Sequence, residues 1–164
     1  MTVTPSPPRH LPALAHEAAR TMTLKGTPPV APASPLEPPP RLILASDPES
    51  AAAARTYARE FVTYYVPDAS EDQITDVQLI TSELVTNSIR YGTEPDDSLL
   101  LVLDARPGRV RIEVHDPVQR QPQVRPESDE RDGGRGLFIV DAIADRWGVT
   151  DQPFGKAVWA EVTT

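Results

Sequence analysis

The sequence predicts an α+β fold, a two-layer sandwich in which three helices cover one face of a mostly antiparallel sheet. Short segments with apolar residues at every second position are interspersed with longer segments whose apolar residues recur every three or four positions. These are the periods of strands and of helices. The segments follow one another as β-α-α-β-β-α-β-β, and several strands adjoin through short turns. This order is typical of antiparallel strands with helices packed on one side.

The predicted domain begins with a short strand at residues 41–45. Asp47 then provides a cap, and Pro48 occupies the first helical position, where its missing amide hydrogen costs little. The alanine-rich helix that follows extends to about residue 65 and ends before Pro67, because proline disrupts a helix interior.

The second helix begins with a capping box, from Ser70 to Gln73, and ends at Gly92. Residues three and four positions apart lie on one face of a helix. The apolar residues of this helix therefore form a stripe that we expect to pack on the core, namely Ile74, Val77, Ile80 and Leu84.

The remaining elements are four strands and one helix. Strands at residues 99–104 and 109–115 are joined by a turn at 106–108, which predicts an antiparallel hairpin. A polar stretch at 117–131 shows no apolar period. A third helix is predicted at 137–146, and strands at 147–150 and 154–162 flank a turn at 151–153.

The first 40 residues differ from the rest in composition. They hold eleven of the 19 prolines, most densely between Pro28 and Pro40. Proline fixes φ and has no amide hydrogen, so we expect residues 1–40 to be a disordered or polyproline-like arm. Residues 11–24 carry a helical pattern that could fold on a partner. The domain proper is predicted at 41–164.

Charge and composition exclude several classes of protein. The net charge of -8 disfavours a nucleic-acid-binding protein, which needs clustered Lys and Arg. The absence of cysteine excludes disulfides and thiolate metal sites. No apolar run reaches the length of a membrane span, and the first residues do not resemble a secretory signal. We therefore expect a cytoplasmic protein.

One polar pair interrupts the second helix. Glu83 and Asn87 are one turn apart, so they share a face at the border of the apolar stripe. A carboxylate and a carboxamide in such a position are costly to bury unless something binds them. Hydrated Mg²⁺ with nucleotide phosphates would satisfy both side chains, and a solvated polar face is the alternative.

Two further segments could bind a nucleotide. Asp116 has the alternation parity of Val110, Ile112 and Val114, so it points toward the buried face and needs a donor. The exocyclic amine of adenine is one candidate, and an arginine or a backbone amide is the other. The glycines at 133–136 precede the third helix and would let backbone amides approach an anion, although a tight turn also uses glycine.

In this order, the three motifs resemble those of the GHKL ATPases, which include gyrase, histidine kinases, a heat-shock chaperone and mismatch-repair ATPases. Residues 83–92 resemble the N box, Asp116 resembles the adenine-binding aspartate, and residues 134–137 resemble the later glycine box. Asp116-Pro117 and the segment 155–161 are most similar to the anti-sigma-factor serine-kinase branch found in bacteria. The resemblance covers roughly residues 41–162 and implies the Bergerat ATP-binding fold.

The resemblance implies ATP and Mg²⁺ as cofactors. Asn87 would coordinate Mg²⁺. Glu83 would be the general base toward a serine hydroxyl or a water, and Arg90 would hold phosphate charge. Asp116 would accept a hydrogen bond from the adenine amine. The glycine box would line the phosphates through Gly134, Arg135, Gly136 and Leu137.

For function, the resemblance implies an ATP-dependent serine/threonine protein kinase that acts on a sigma-factor antagonist, sequesters a sigma factor, or does both. Members of this branch are usually homodimers. A regulatory module that uses ATP weakly or as a structural ligand is the alternative. A histidine kinase fragment would need an upstream helical hairpin, which a proline-rich arm cannot supply.

Two positions depart from the family pattern. Pro117 follows Asp116 where glycines are common in the wider superfamily, which implies that adenine is held less closely. Ala157 stands where the pattern usually has a threonine whose hydroxyl helps to fix the adenine pocket. Losing one such hydrogen bond would cost about 0.5–1.5 kcal/mol, so weaker nucleotide binding is expected.

Overall fold

The protein is described by a computed structural model that covers residues 21–25, 39–117 and 135–164. In these ranges it contains six strands and three helices. In chain order they are β1 (Thr21–Lys25), β2 (Arg41–Ala45), α1 (Glu49–Tyr65), α2 (Glu71–Tyr91), β3 (Ser98–Arg106), β4 (Arg109–Asp116), α3 (Arg135–Ile143), β5 (Arg146–Gln152) and β6 (Gly155–Thr163). None of the helices in the described ranges is long and apolar enough to cross a membrane.

The strands form one sheet with the order β1-β5-β6-β4-β3-β2, and every described pair is antiparallel. Helix α1 packs on β2 and β3, α2 packs on β4 and β6, and α3 packs on β5 and α2. The predicted two-layer α+β sandwich is confirmed.

The core lies between the sheet and α2. The helix begins with the predicted capping box, in which the Gln73 amide donates to Ser70 Oγ (3.2 Å) and the Ser70 amide donates to Gln73 Oε1 (2.8 Å). The predicted apolar stripe of this helix is buried along its whole length. Burial of this stripe fixes the rotation of α2 about its axis, and therefore the direction in which the polar residues of the helix point.

Strand β1 lies within the segment that we expected to be an arm. Thr21–Lys25 pairs with β5 and extends the sheet at that edge. An unpaired edge on β5 would leave a row of backbone donors and acceptors open, and β1 satisfies them. The pairing also rules out a helix at the end of the 11–24 segment. The other residues of the predicted arm, 1–20 and 26–38, lie outside the described ranges.

The third helix lies earlier in the chain than predicted, because it begins at Arg135 instead of residue 137 and ends at Ile143 instead of residue 146. The backbone after it turns to the sheet. The Asp145 amide donates to the Glu161 carbonyl (3.0 Å), and the Asp145 carboxylate accepts from the Thr163 amide (2.6 Å). Strand β5 then begins at Arg146, one residue earlier than predicted, and extends to Gln152.

The sheet face opposite the helices carries an ionic cluster centred on Glu161, whose side chain is only 4% exposed. Three arginines surround it: Arg111 at 3.0 Å, Arg109 at 3.7 Å, and Arg146 in a very short contact. The Arg111 guanidinium also lies 4.1 Å from the centre of the Trp159 ring, a cation–π distance.

A second carboxylate in this cluster is strongly acidic. Burial alone would raise the pKa of Glu113, but the hydrogen bond with His115 and the charge of Arg111 lower it to about 2. The cluster therefore keeps the Glu113 carboxylate ionised at neutral pH.

Candidate functional site

Helix α2 presents Glu83 and Asn87 on one face, as predicted, and Arg90 lies on the same face. Glu83, Asn87 and Arg90 occupy positions i, i+4 and i+7, so they line up along about two turns. Glu83 and Asn87 are half-buried, and Arg90 is exposed. Over the described ranges, neither Glu83 nor Asn87 forms a side-chain hydrogen bond. Both therefore offer oxygen atoms to a ligand.

The Glu83 carboxyl is less acidic than an exposed glutamate. Burial raises its pKa, and the positive charge of Arg90 opposes this effect without cancelling it. A carboxylate with a raised pKa is a stronger base, which is the property that proton abstraction requires.

The start of α3 lies directly against Glu83. A Cβ atom placed on Gly136 would be 2.8 Å from Glu83 Oε2, closer than van der Waals contact allows. Glycine at this position lets the backbone of α3 approach the carboxylate. Of the other glycine-box residues, Leu137 is buried in the core and Arg135 begins the helix, while Gly134 lies outside the described ranges.

The close approach predicts the effect of Gly136→Ala. The added methyl group should push the flexible end of Glu83 aside, so we expect a loss of any Glu83-dependent activity. The helix itself should tolerate alanine, which has the higher helix propensity. Thermal unfolding should therefore be within a few degrees of the parent, while any activity that depends on Glu83 falls. Equal activity of both proteins would show that the carboxylate is not held by this contact.

Asp116 is buried at the end of β4, with the predicted parity. Ser88 Oγ donates to its Oδ2 at 2.9 Å, and Lys156 Nζ donates to its Oδ1 at 2.7 Å. Within the described ranges, a serine and a lysine therefore donate to this carboxylate. A Cβ atom on Gly92 would lie 2.3 Å from the same carboxylate, so the end of α2 is packed on it.

These contacts bring the predicted residues into two adjoining groups. Ser88 follows Asn87 in the chain, so its bond to Asp116 ties β4 to the half of α2 that carries Asn87 and Arg90. Glu83 and Gly136 meet one turn earlier along α2. The predicted N box, adenine aspartate and glycine box therefore all border α2.

The register of β6 changes the interpretation of Ala157. Lys156 pairs with Asp116, and Ala157 pairs with His115. Successive strand residues face opposite sides of a sheet, so Ala157 lies on the face away from Asp116. The expected loss of a threonine contact at position 157 is therefore wrong for this pocket. The side chain that faces Asp116 from β6 is Lys156.

Sequence reasoning missed three residues of this group: Ser88, Gly92 as a packing partner, and Lys156. Ser88 is one turn beyond Leu84 on the buried stripe, so its spacing in the sequence already indicated that it is buried. Lys156 was detectable as a charged residue at a strand parity shared with the apolar residues Val158 and Ala160.

The described residues contain no cluster of three or more His, Cys, Asp or Glu side chains that could hold a metal by themselves. A divalent cation here would depend on the Asn87 amide oxygen and on oxygens brought by a ligand. Mg²⁺ fits this donor set, because it commonly binds through one or two protein oxygens, substrate phosphates and water.

A comparison with known families decides the relationship. Residues 44–162 match the histidine kinase-like ATPase domain. The chain belongs to this family. The match runs from β2 into β6 and includes every candidate residue, from Glu83 to Lys156. Curated proteins provide no significant match to the chain.

Membership in the histidine kinase-like ATPase domain family places the chain in the GHKL superfamily and makes it an ATP-binding domain of kinase-like type. The predicted superfamily is thereby confirmed. Domains of this kind usually bind nucleotide together with Mg²⁺, which agrees with the oxygen donors on α2.

Proposed function

We propose that this protein is an ATP-dependent serine/threonine protein kinase of the anti-sigma-factor type, which phosphorylates a sigma-factor antagonist, sequesters a sigma factor, or does both. The observation that carries the proposal is the half-buried Glu83 carboxylate, whose pKa is raised and which lies on one helix face with Asn87. A module that only binds nucleotide has no need of a base at this position.

The phosphates of ATP would lie along the face of α2 next to the start of α3. Asn87 offers an amide oxygen to Mg²⁺, and Arg90 offers a guanidinium to phosphate oxygens. The bound Mg²⁺ would neutralise phosphate charge during transfer. Gly136 supports this placement, because a residue without a side chain leaves its backbone open to the anion at a helix N-terminus.

The transfer step assigned to Glu83 is a proton abstraction. The serine hydroxyl of the substrate protein gives its proton to the carboxylate as its oxygen forms a bond to the γ-phosphorus. The bond between that phosphorus and the bridging oxygen to the β-phosphate breaks, and ADP leaves. Glu83 needs to be ionised before the step and is protonated after it.

The adenine base would lie at Asp116. Its exocyclic amine donates a hydrogen bond, and the buried carboxylate accepts one. Partner proteins are assigned on the family resemblance: a sigma factor, its antagonist, and a second copy of the chain in a homodimer.

A second function is favoured by one observation. The Asp116 carboxylate is already bonded to Ser88 and Lys156 and its side chain has no exposed surface. A site closed in this way suits a regulatory module that binds ATP weakly, without phosphate transfer.

Calorimetric titration with Mg²⁺–ATP tests the proposal at its first step. The parent protein should bind, Asn87→Ala and Asp116→Ala should each weaken binding at least tenfold, and Thr75→Ala should bind like the parent. Thr75 is a suitable control because it is exposed on α2 and lies away from the site. Absence of heat and of thermal stabilisation at millimolar nucleotide would refute both functions.

Transfer of radiolabelled γ-phosphate to candidate antagonist proteins then separates the two functions. A kinase labels a serine of one antagonist. A protein that binds ATP and labels no antagonist, while still holding a sigma factor, is the regulatory module.

A further inference from the structure

Lys156 and Asp116 form a buried cross-strand pair at the site assigned to the base. They are opposite each other on β6 and β4, and their charged atoms are 2.7 Å apart. Their side chains are 3% and 0% exposed. Few lysines are so deeply buried, and those that are need a partner.

Stability does not account for this pair. Removing two charges from water costs about as much as their attraction returns, so a buried ion pair is often no more stable than apolar residues of similar size. The preceding pair on the same two strands, Val114 and Val158, shows that valine fits this face of the sheet. The charged pair is the next pair on this face of the sheet after the valine pair, at the end of β4 where we place the adenine base.

The pair matches one edge of adenine. On that edge an exocyclic amine, which donates, adjoins the ring nitrogen N1, which accepts. Asp116 accepts and Lys156 donates, and their atoms are as close together as the two neighbouring positions of the ring edge require. We propose that Lys156 is a specificity-determining residue whose ammonium donates to N1 of adenine while Asp116 accepts from the amine. This inference rests on the proposed nucleotide function.

The same geometry rejects other purines. Guanine and hypoxanthine carry a carbonyl oxygen where adenine has the amine, and an N–H where adenine has the N1 lone pair. The carbonyl would face the Asp116 carboxylate, and the N–H would face the Lys156 ammonium. Both contacts are repulsive, so the pair discriminates by two mismatches instead of one.

Lys156 can serve the base without rebuilding the strand. Its ammonium is carried by a flexible four-carbon stem, so it can turn from Asp116 Oδ1 toward an arriving base while β6 stays in register. The backbone of β6 is bonded to β4 and β5 on its two sides, which keeps the root of the side chain in place.

The test compares ATP, 1-deaza-ATP and 7-deaza-ATP by calorimetry, on the intact parent protein and on Lys156→Met. In 1-deaza-ATP a C–H replaces N1, and in 7-deaza-ATP the change is on the other side of the base. The parent should bind 1-deaza-ATP about ten- to a hundredfold more weakly than ATP, the range for a charge-assisted hydrogen bond. It should bind 7-deaza-ATP like ATP. In Lys156→Met the ratio between ATP and 1-deaza-ATP should fall to about one.

Each outcome bears on a distinct claim. A parent that binds ATP and 1-deaza-ATP equally overturns the role of Lys156 and leaves the proposed function standing. The same preference in Lys156→Met as in the parent also overturns it, because another group then contacts N1. A parent that binds neither nucleotide refutes the proposed function as well.

The methionine variant leaves Asp116 buried without its lysine and could unfold. Lys156→Gln is the second variant, because its amide is a neutral donor of shorter reach. Its preference for ATP over 1-deaza-ATP should be weaker than that of the parent and stronger than that of Lys156→Met. The comparison of ATP analogues on the parent needs no variant, so the inference stays testable even when both substitutions prevent folding.

Discussion

Glu83→Gln should reduce phosphate transfer about 10²–10⁴-fold while leaving the affinity for Mg²⁺–ATP nearly unchanged. Glutamine keeps the size of the side chain and its place beside Gly136, but it cannot accept a proton from the substrate hydroxyl. The loss should appear in the rate of a single turnover, measured with labelled ATP and the antagonist protein. Affinity is measured separately by calorimetry.

Asp76→Asn is the matched control. Asp76 is two turns before Glu83 on the same helix and close to the same face, so it tests whether loss of any acid on α2 has the effect. Transfer by this variant should equal that of the parent. Full activity of Glu83→Gln would show that another group accepts the proton. Glu83 would then be a positioning residue.

The pH dependence gives an independent check on the same carboxylate. Burial raises the pKa of Glu83, so the protonated, inactive form persists to higher pH than for an exposed glutamate. The acid limb of the transfer rate should accordingly lie above the usual range of glutamate titration, which is near 4.3. Arg90→Gln removes the charge that opposes this shift and should move the limb to still higher pH.

Glu161→Gln should destabilise the fold by about 3–4 kcal/mol, the lower part of the range for breaking a buried ion pair, since its partners are partly exposed. Loss of the charge leaves Arg109, Arg111 and Arg146 close together around a neutral group. Their side chains are 17–29% exposed, so solvent screens them only in part. Urea unfolding of the full chain at neutral pH gives the free energy, and the melting temperature should fall by on the order of 10 °C.

The exposed pair between Arg59 and Glu71 offers a control of the same chemistry. Their side chains are 47% and 73% exposed, and surface pairs contribute about 0–1 kcal/mol. Glu71→Gln should therefore unfold at nearly the same urea concentration as the parent. Equal effects of the two substitutions would mean that the Glu161 cluster is solvated like a surface pair.

Local signals were sufficient to predict helix α2 and the face that carries the site. The capping box, the apolar stripe and the four-residue spacing of Glu83 and Asn87 are all properties of one continuous segment, and each is confirmed in the fold. The buried position of Asp116 also followed from the alternation within a single strand.

Features that depend on two distant segments could not be predicted in this way. Thr21–Lys25 forms a strand because it pairs with the edge of β5. The sequence of these five residues alone does not indicate that pairing. Lys156, and not Ala157, faces Asp116 because of the register between β6 and β4. A shift of one residue in that register would place the other side chain on this face of the sheet. A family motif therefore identifies the segment that borders the site, but it does not show which side chain of that segment points into it.

The contact between Gly136 and Glu83 has a mechanical consequence. Because a methyl group on Gly136 would push the end of the Glu83 side chain aside, the first turn of α3 sets how far the carboxylate reaches. A shift of this turn by about the width of one atom would reposition the Glu83 carboxylate. A displacement far smaller than a domain movement would thus change where this carboxylate lies.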